Sequence, residues 1–129
     1  MNEKYIIADN KVENVTADGR IIGCQVGLRI PYYMGAPLSQ IEHIILKIDG
    51  TEVCQEDMRI ITEDGEEFKM SEIITCYRHF WEYGEKLQVR VLKEGGLSKG
   101  KHRIDVDVAV DVIYAPKGFG SIAYAEFTI

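Results

Sequence analysis

The sequence predicts an all-β protein, an antiparallel β-sandwich or jelly-roll-like fold of about eight or nine strands, with residues 1–129 as one domain. The stretch Lys101 to Ile113 alternates strictly, with Ile104, Val106, Val108, Val110 and Val112 on one face and Arg103, Asp105, Asp107, Ala109 and Asp111 on the other. That period of two marks a long strand with one dry face and one acidic, wet face. The Asp18-Gly19 and Asp49-Gly50 pairs are tight-turn signals, because both positions of such a turn need positive φ. Further short apolar segments recur between clusters of turn-forming residues, the spacing of a sheet protein rather than an α/β one.

The long strand cannot stand alone. Burying its five aliphatic side chains does not offset the entropy of ordering its backbone, so it needs paired neighbours and a second layer over its valines. Lys4 to Ile7 and Lys11 to Thr16 read as strand-like pieces around an Asp9-Asn10 turn. After the Asp18-Gly19 turn, Ile22, Cys24, Val26, Leu28 and Ile30 share one strand face. Gly23 and Gly27 leave the other face bare, where a second backbone or a ligand can come close.

Residues 31 to 39, PYYMGAPLS, are a loop in which Tyr32, Tyr33 and Met34 stand between Pro31, Gly35 and Pro37. Those large side chains either fold back over one end of the sandwich or form a contact surface for a partner or ligand. Ile41 to Asp49 is a third strand, and Asp49-Gly50 turns it into Thr51-Glu52-Val53. Met58 to Thr62 and Glu67 to Met70 form another hairpin about an exposed acidic turn.

Residues 71 to 83, SEIITCYRHFWEY, interrupt the alternation and predict an irregular connection or a single helical turn capped by Ser71, with Glu72 in its first turn. Tyr77, Phe80, Trp81 and Tyr83 crowd together there, and Phe80 and Trp81 read as core plugs. Leu87, Val89 and Val91 mark the next strand, and 94–100 is a loop. After the long strand comes a loop over 114–120 and a last strand from Ser121 to Ile129.

With hydrophobic residues at 46% and charged residues at 28%, the chain has the composition of a folded soluble domain rather than a disordered one. The net charge of −6 without a basic patch argues against nucleic acid and anionic membrane as partners. The N-terminus lacks an apolar signal run, and no stretch approaches a membrane span. Cys24, Cys54 and Cys76 are widely spaced, without CxxC or histidines at metal-ligand spacing, so three free thiols in a cytoplasmic setting is the economical reading.

Catalytic templates find no match. Gly118-Phe119-Gly120 lacks the strand-to-helix context and third glycine of a phosphate loop, GxSxG is absent, and no cysteine adjoins a histidine in sequence. Asp105 and Asp107 lie about 7 Å apart by strand rise, and Asp111 continues the row. A solvated face countered by Arg103 and neighbouring lysines suits this row better than a cation site, which gathers ligands from several segments. His43 and His102 sit on or beside strands. His79, among the aromatics, is a weak site candidate.

Several pieces in order resemble one family. They are Tyr32-Tyr33-Met34-Gly35 followed by Leu38-Ser39 and Ile41; the strand leading to Ile48-Asp49-Gly50; Phe80-Trp81 followed by Tyr83-Gly84-Glu85; and Gly95-Gly96-Leu97-Ser98-Lys99-Gly100-Lys101-His102. Together, from about Gly19 to Val112, the chain is similar to the β subunit of the bacterial C-glycoside deglycosidases. The resemblance implies a small β-sandwich accessory subunit with no metal, cofactor or catalytic residue of its own, required for an active carbon–carbon lyase complex. The larger α subunit, a TIM barrel like those of sugar isomerases, carries a divalent metal, typically manganese, and the acid/base residues. The pair cleaves the bond between a 3-oxo-glucosyl group and an aromatic, flavonoid-type aglycone. Tyr32, Tyr33, Met34, Tyr77, His79, Trp81 and Tyr83 are then the expected partner interface or active-site rim. Two rival readings are a stand-alone carbohydrate-binding sandwich that stacks sugars on tyrosine and tryptophan faces, and a homo-oligomeric structural domain.

Overall fold

A computed structural model describes residues 3–31, 35–111 and 119–129. The chain forms an all-β sandwich. A single helical turn, α1 (Glu3–Ile6), precedes the long strands β1 (Ile7–Ala17) and β2 (Arg20–Leu28). There follow β3 (Ala36–Pro37), β4 (Ile41–Ile48), β5 (Thr51–Glu52), β6 (Met58–Ile61), β7 (Glu67–Lys69), the helical turn α2 (Met70–Ile73), β8 (Phe80–Trp81), β9 (Leu87–Leu92), β10 (Lys101–Val110) and β11 (Phe119–Thr128). One sheet has the order β1-β2-β9-β6-β7, the second β11-β10-β4-β5, and β3 pairs with β8 alone. Every pairing is antiparallel.

The local turn chemistry sets the hairpins where the sequence places them. Asp18 (φ 51°) and Gly19 (φ 76°) close Ala17 onto Arg20, and Asp49 (φ 51°) and Gly50 (φ 84°) close Ile48 onto Thr51. Gly23 answers the question its bare position raised. A Cβ there would lie 2.0 Å from the Val91 carbonyl oxygen, so the close neighbour is the β9 backbone.

A single apolar cluster fills the space between the sheets. Val26, Leu28, Ile60 and Val89 enter from one side, Ile44, Leu46, Ile104, Val106 and Val108 from the other, all buried. The wet face of β10 is partnered by Arg103 from its own strand and by His43 from β4. Arg103 holds Asp105 at 3.0 Å, and Asp107 is met at 2.8 Å by His43 rather than by a lysine.

Several expectations need correction. Of Lys4–Ile7 only Ile7 is strand: Glu3–Ile6 turns once as a helix beside β11, and β1 starts at Ile7. Asp9-Asn10 does not separate two pieces, because β1 runs through it as an irregularity, Ile7 facing Leu28 but Val12 already facing Val26, with Asp9 at φ 60°. Ser71 lies inside α2 rather than capping it, and the Glu72 carboxylate accepts the Lys69 backbone N–H at 2.8 Å. Phe80 is no core plug, for the short β8 points Trp81 inward and Phe80 outward. The last strand begins at Phe119, since the β10 ladder reaches Val110 and draws in Phe119 and Gly120 as partners. At position 120 a Cβ would lie 2.3 Å from the Val108 carbonyl oxygen, which only glycine avoids. β10 itself ends at Val110, where the Asp111 N–H turns to the Gln40 carbonyl at 2.7 Å. Val112, Ile113 and the expected loop up to Gly118 lie outside the described residues.

Candidate functional site

The chain segments on either side of β3 and β8 meet at one end of the sandwich. Ala36 faces Trp81 and Pro37 faces Phe80. Beyond them the Leu38 N–H donates to the His79 carbonyl and the Ser39 N–H to the Cys76 carbonyl, both at 3.0 Å. This end therefore joins the 35–40 segment to the 76–81 segment by backbone bonds that tolerate many side chains.

Trp81 anchors it. The ring is fully buried, and its indole Nε1–H donates to the Glu85 carbonyl at 3.1 Å, which satisfies the one polar group the ring brings into the core. The Glu85 side chain, only 7% exposed, turns back into the same corner. One of its oxygens accepts the Glu82 N–H at 3.2 Å and the other lies 3.3 Å from His79 Nε2. A carboxylate so buried requires such partners.

Outside this support several large apolar side chains are exposed among the described residues. Tyr77 is 69% and Phe80 48% exposed, and Ile74 and Tyr83 are exposed as well. Tyr83 stacks on Tyr5 with centroids 5.4 Å apart, and the Arg29 guanidinium sits 5.3 Å over the Tyr5 ring. Burial pushes the Tyr5 phenol above its ordinary pKa. Of the seven residues expected at an interface, the structure brings Tyr77, His79, Trp81 and Tyr83 to this end, Tyr77 and Tyr83 outward and Trp81 inward. Tyr32, Tyr33 and Met34 lie outside the described residues. Phe80, expected in the core, is exposed here, and Ile74 and Tyr5, which the sequence did not single out, add an exposed side chain and a ring stacked on Tyr83. Ile74 is readable as the outward half of the Ile73-Ile74 pair in α2 and its exit, but Tyr5 reaches this place only through the fold.

The same end gathers Asp64, Glu66 and His79, one ligand atom from each lying within 4.8 Å of the others. The acidic turn of the β6–β7 hairpin thus carries more than its sequence disclosed. All three side chains are already engaged. The Thr62 hydroxyl donates to Asp64, Arg78 donates to Glu66 at 2.7 Å, and Glu85 holds His79. The Thr62 bond holds the Asp64 carboxyl below its usual range, and the Arg78 guanidinium does the same for Glu66. A cation here would have to take Glu66 from Arg78, so the cluster acts as an ion-paired brace between hairpin and loop.

The cysteines carry no site: Cys24 and Cys76 are buried, Cys54 is exposed, and all three are free. Burial raises the Cys24 thiol to about 11, which leaves it protonated and unreactive at neutral pH. No helix among the described residues is long and apolar enough to cross a membrane.

Comparison with known proteins gives this surface its setting. Residues 2–114 match the family described as C-glycoside deglycosidase beta subunit. A C-glycoside deglycosidase beta subunit from Eubacterium cellulosolvens is 30% identical over 115 residues, covering 88% of this chain and 78% of the relative. A 3′-dehydrocarminate deglycosidase beta subunit from a Microbacterium species is 27% identical over 124 residues, covering 96% of this chain and 88% of the relative. With most of its length matched and its all-β sandwich in place, the chain belongs to the C-glycoside deglycosidase beta subunit family.

Proposed function

We propose that this chain is the accessory β subunit of a cytoplasmic C-glycoside deglycosidase and that its aromatic end lies against a TIM-barrel α subunit. In this reading the α subunit holds the divalent metal, manganese, and performs the acid/base chemistry. The complex cleaves the carbon–carbon bond between a 3-oxo-glucosyl group and a flavonoid-type aglycone. The observation that carries the reading is the apolar surface of Ile74, Tyr77, Phe80 and Tyr83 on a chain of this family. Exposed aromatics rimmed by charges such as Arg78, Glu66 and Glu82 have the make-up of a protein contact with an apolar centre and a polar border. Tyr32, Tyr33 and Met34 extend this face in the proposal, with His79 and Trp81 fixing it from behind.

Co-expression with an α subunit tests it. The two chains are expected to co-elute, and 3-oxo-C-glycoside is expected to be consumed only when both are present. The variant Tyr77→Ser/Phe80→Ser/Tyr83→Ser should remain folded and lose co-elution. Turnover by the isolated chain, or full assembly by that variant, would overturn the placement. Saturable glycoside binding by this chain alone would favour a carbohydrate-binding module instead.

A further inference from the structure

At the end of the sandwich away from Trp81, the β4–β5 turn, the loop between β9 and β10 and the start of β10 surround a cavity of about 580 Å³. His102 joins the three. Its Nδ1 lies 2.6 Å from Asp49 Oδ2 and its Nε2 2.7 Å from the Ser98 carbonyl oxygen. The Ser98 oxygen can only accept. Asp49 is likewise an acceptor, since bonds from His102 and from the Arg103 N–H hold its carboxyl below the usual range and keep it ionised at neutral pH. A neutral imidazole has one N–H and would set a lone pair against one of these oxygens at contact distance. Only the imidazolium, with two, satisfies both.

The surroundings suit a fixed cation. The ring stacks on Phe127 at 5.6 Å, and the side chain is 9% exposed. The charged groups that face it are Asp49 on the β4–β5 turn and Lys93 after β9, with Glu52 and Asp57 across the cavity; Lys101 and Arg103, its neighbours in β10, and Glu126 on β11 lie on the other face of the sheet by strand alternation. Lys93 opposes a charge on the ring, but Asp49 touches it and prevails, so the imidazole pKa is raised, chiefly by the Asp49 bond and then by the Ser98 carbonyl.

The loop is held elsewhere by groups that do not titrate near neutrality. The Asn14 side chain clamps Leu97 through both its N–H (2.9 Å) and its carbonyl (3.0 Å), and Gly100 pairs with Ile129. Between these clamps, Ser98 and Lys99 depend on His102. We infer that His102 is a protonation-dependent latch: as imidazolium it ties Ser98 of the β9–β10 loop to Asp49 of the β4–β5 turn across the rim of the cavity, and loss of one ring proton frees the Ser98–Lys99 segment.

The sign follows from the partners. The latch is fully closed below about 6.5, the ordinary histidine pKa, and opens as pH rises through the raised value in the folded protein. The Asp49 arm is depressed instead, so it is complete above the ordinary carboxylate range and lost only as pH falls through the lowered value.

Side-chain ¹H–¹⁵N correlation spectra of the full chain between pH 5.5 and 9.5, together with amide exchange, decide the matter. Both His102 ring nitrogens are expected to carry hydrogen at pH 7. Exchange at Ser98 and Lys99, corrected for its intrinsic rise with pH, should accelerate through the His102 titration while Leu97 stays protected. Asp49→Asn should move the midpoint down toward that of an unperturbed histidine. A neutral single tautomer at pH 7, or protection at Ser98 and Lys99 that ignores the titration, overturns the latch. Because the titration is read on the unaltered protein, the conclusion stands whether or not the variant folds.

Discussion

Between Trp81 at one end and His102 at the other, the same two sheets are closed by opposite chemistry. The first end is packed: an indole fills the gap between layers, makes a single polar bond to Glu85, and leaves further rings outside. The second is bonded: a ring cation is held by a carboxylate and a carbonyl, and Asn14 fixes the neighbouring loop residue. Burial acts without direction and depends little on pH or salt, whereas the bonded end depends on geometry and protonation. A sandwich closed in these two ways can present a packed apolar face, flanked by the ion-paired brace of Asp64, Glu66 and His79, at one end and a responsive rim at the other.

The sharpest way to break the comparison is at its packed end. Trp81→Ala removes a ring with no solvent exposure and should cost about 3–5 kcal/mol, read as a lowered denaturant midpoint. Trp81→Phe should cost less, the loss then being the bond to Glu85 and part of the volume. If Trp81→Ala left the midpoint unchanged, the ring would not be the plug described.

Next in size is the bonded end. Gly96 sits at φ 62°, and a Cβ there would lie 2.4 Å from Asn14 Oδ1 and 2.7 Å from an Ile21 methyl. Gly96→Ala therefore combines left-handed strain with displacement of the Asn14 clamp and should destabilise by about 1–3 kcal/mol. Asn14→Ala, which leaves the Leu97 N–H and carbonyl without their partner, should cost about the same. Both substitutions should also speed amide exchange through the 95–99 segment at every pH, unlike loss of the latch proton. That difference separates a clamp from a switch.

How much of this was legible depended on sequence separation. Asp18-Gly19 and Asp49-Gly50 are local signals, and so is the alternation of β10, because φ preference and side-chain period act within a few residues. Trp81 as a plug was readable from its size alone. Phe80 was misread beside it because β8 is only two residues long, too short for a period to show in the sequence. α1 takes its form beside β11, a neighbour more than a hundred positions away. The latch joins His102 to Asp49 over 53 positions and to Ser98 over four, and the brace of Asp64, Glu66 and His79 also spans two segments. Each residue is ordinary in its own stretch. Only the register of β4 on β10 and the closure of β3 on β8 bring them together.

The smallest effect on stability belongs to the exposed rings, and it is the most informative about function. Tyr77→Ser removes a side chain that lies mostly outside the core and should shift stability by no more than about 0.5 kcal/mol, while Phe80→Ser removes a half-exposed ring and should cost about 1–2 kcal/mol. Truncating a large aromatic at the centre of a protein contact costs about 2 kcal/mol or more of binding, which is roughly a thirtyfold weaker complex at about 1.4 kcal/mol per tenfold. The two measurements, a nearly unchanged denaturant midpoint and a weakened affinity for the proposed α subunit, must therefore part company, most clearly at Tyr77. If they moved together, the rings would be structural members of the sandwich. If neither moved, the contact surface would have to be sought elsewhere, first on the outer side of β11, where Ile122 and Tyr124 are also exposed.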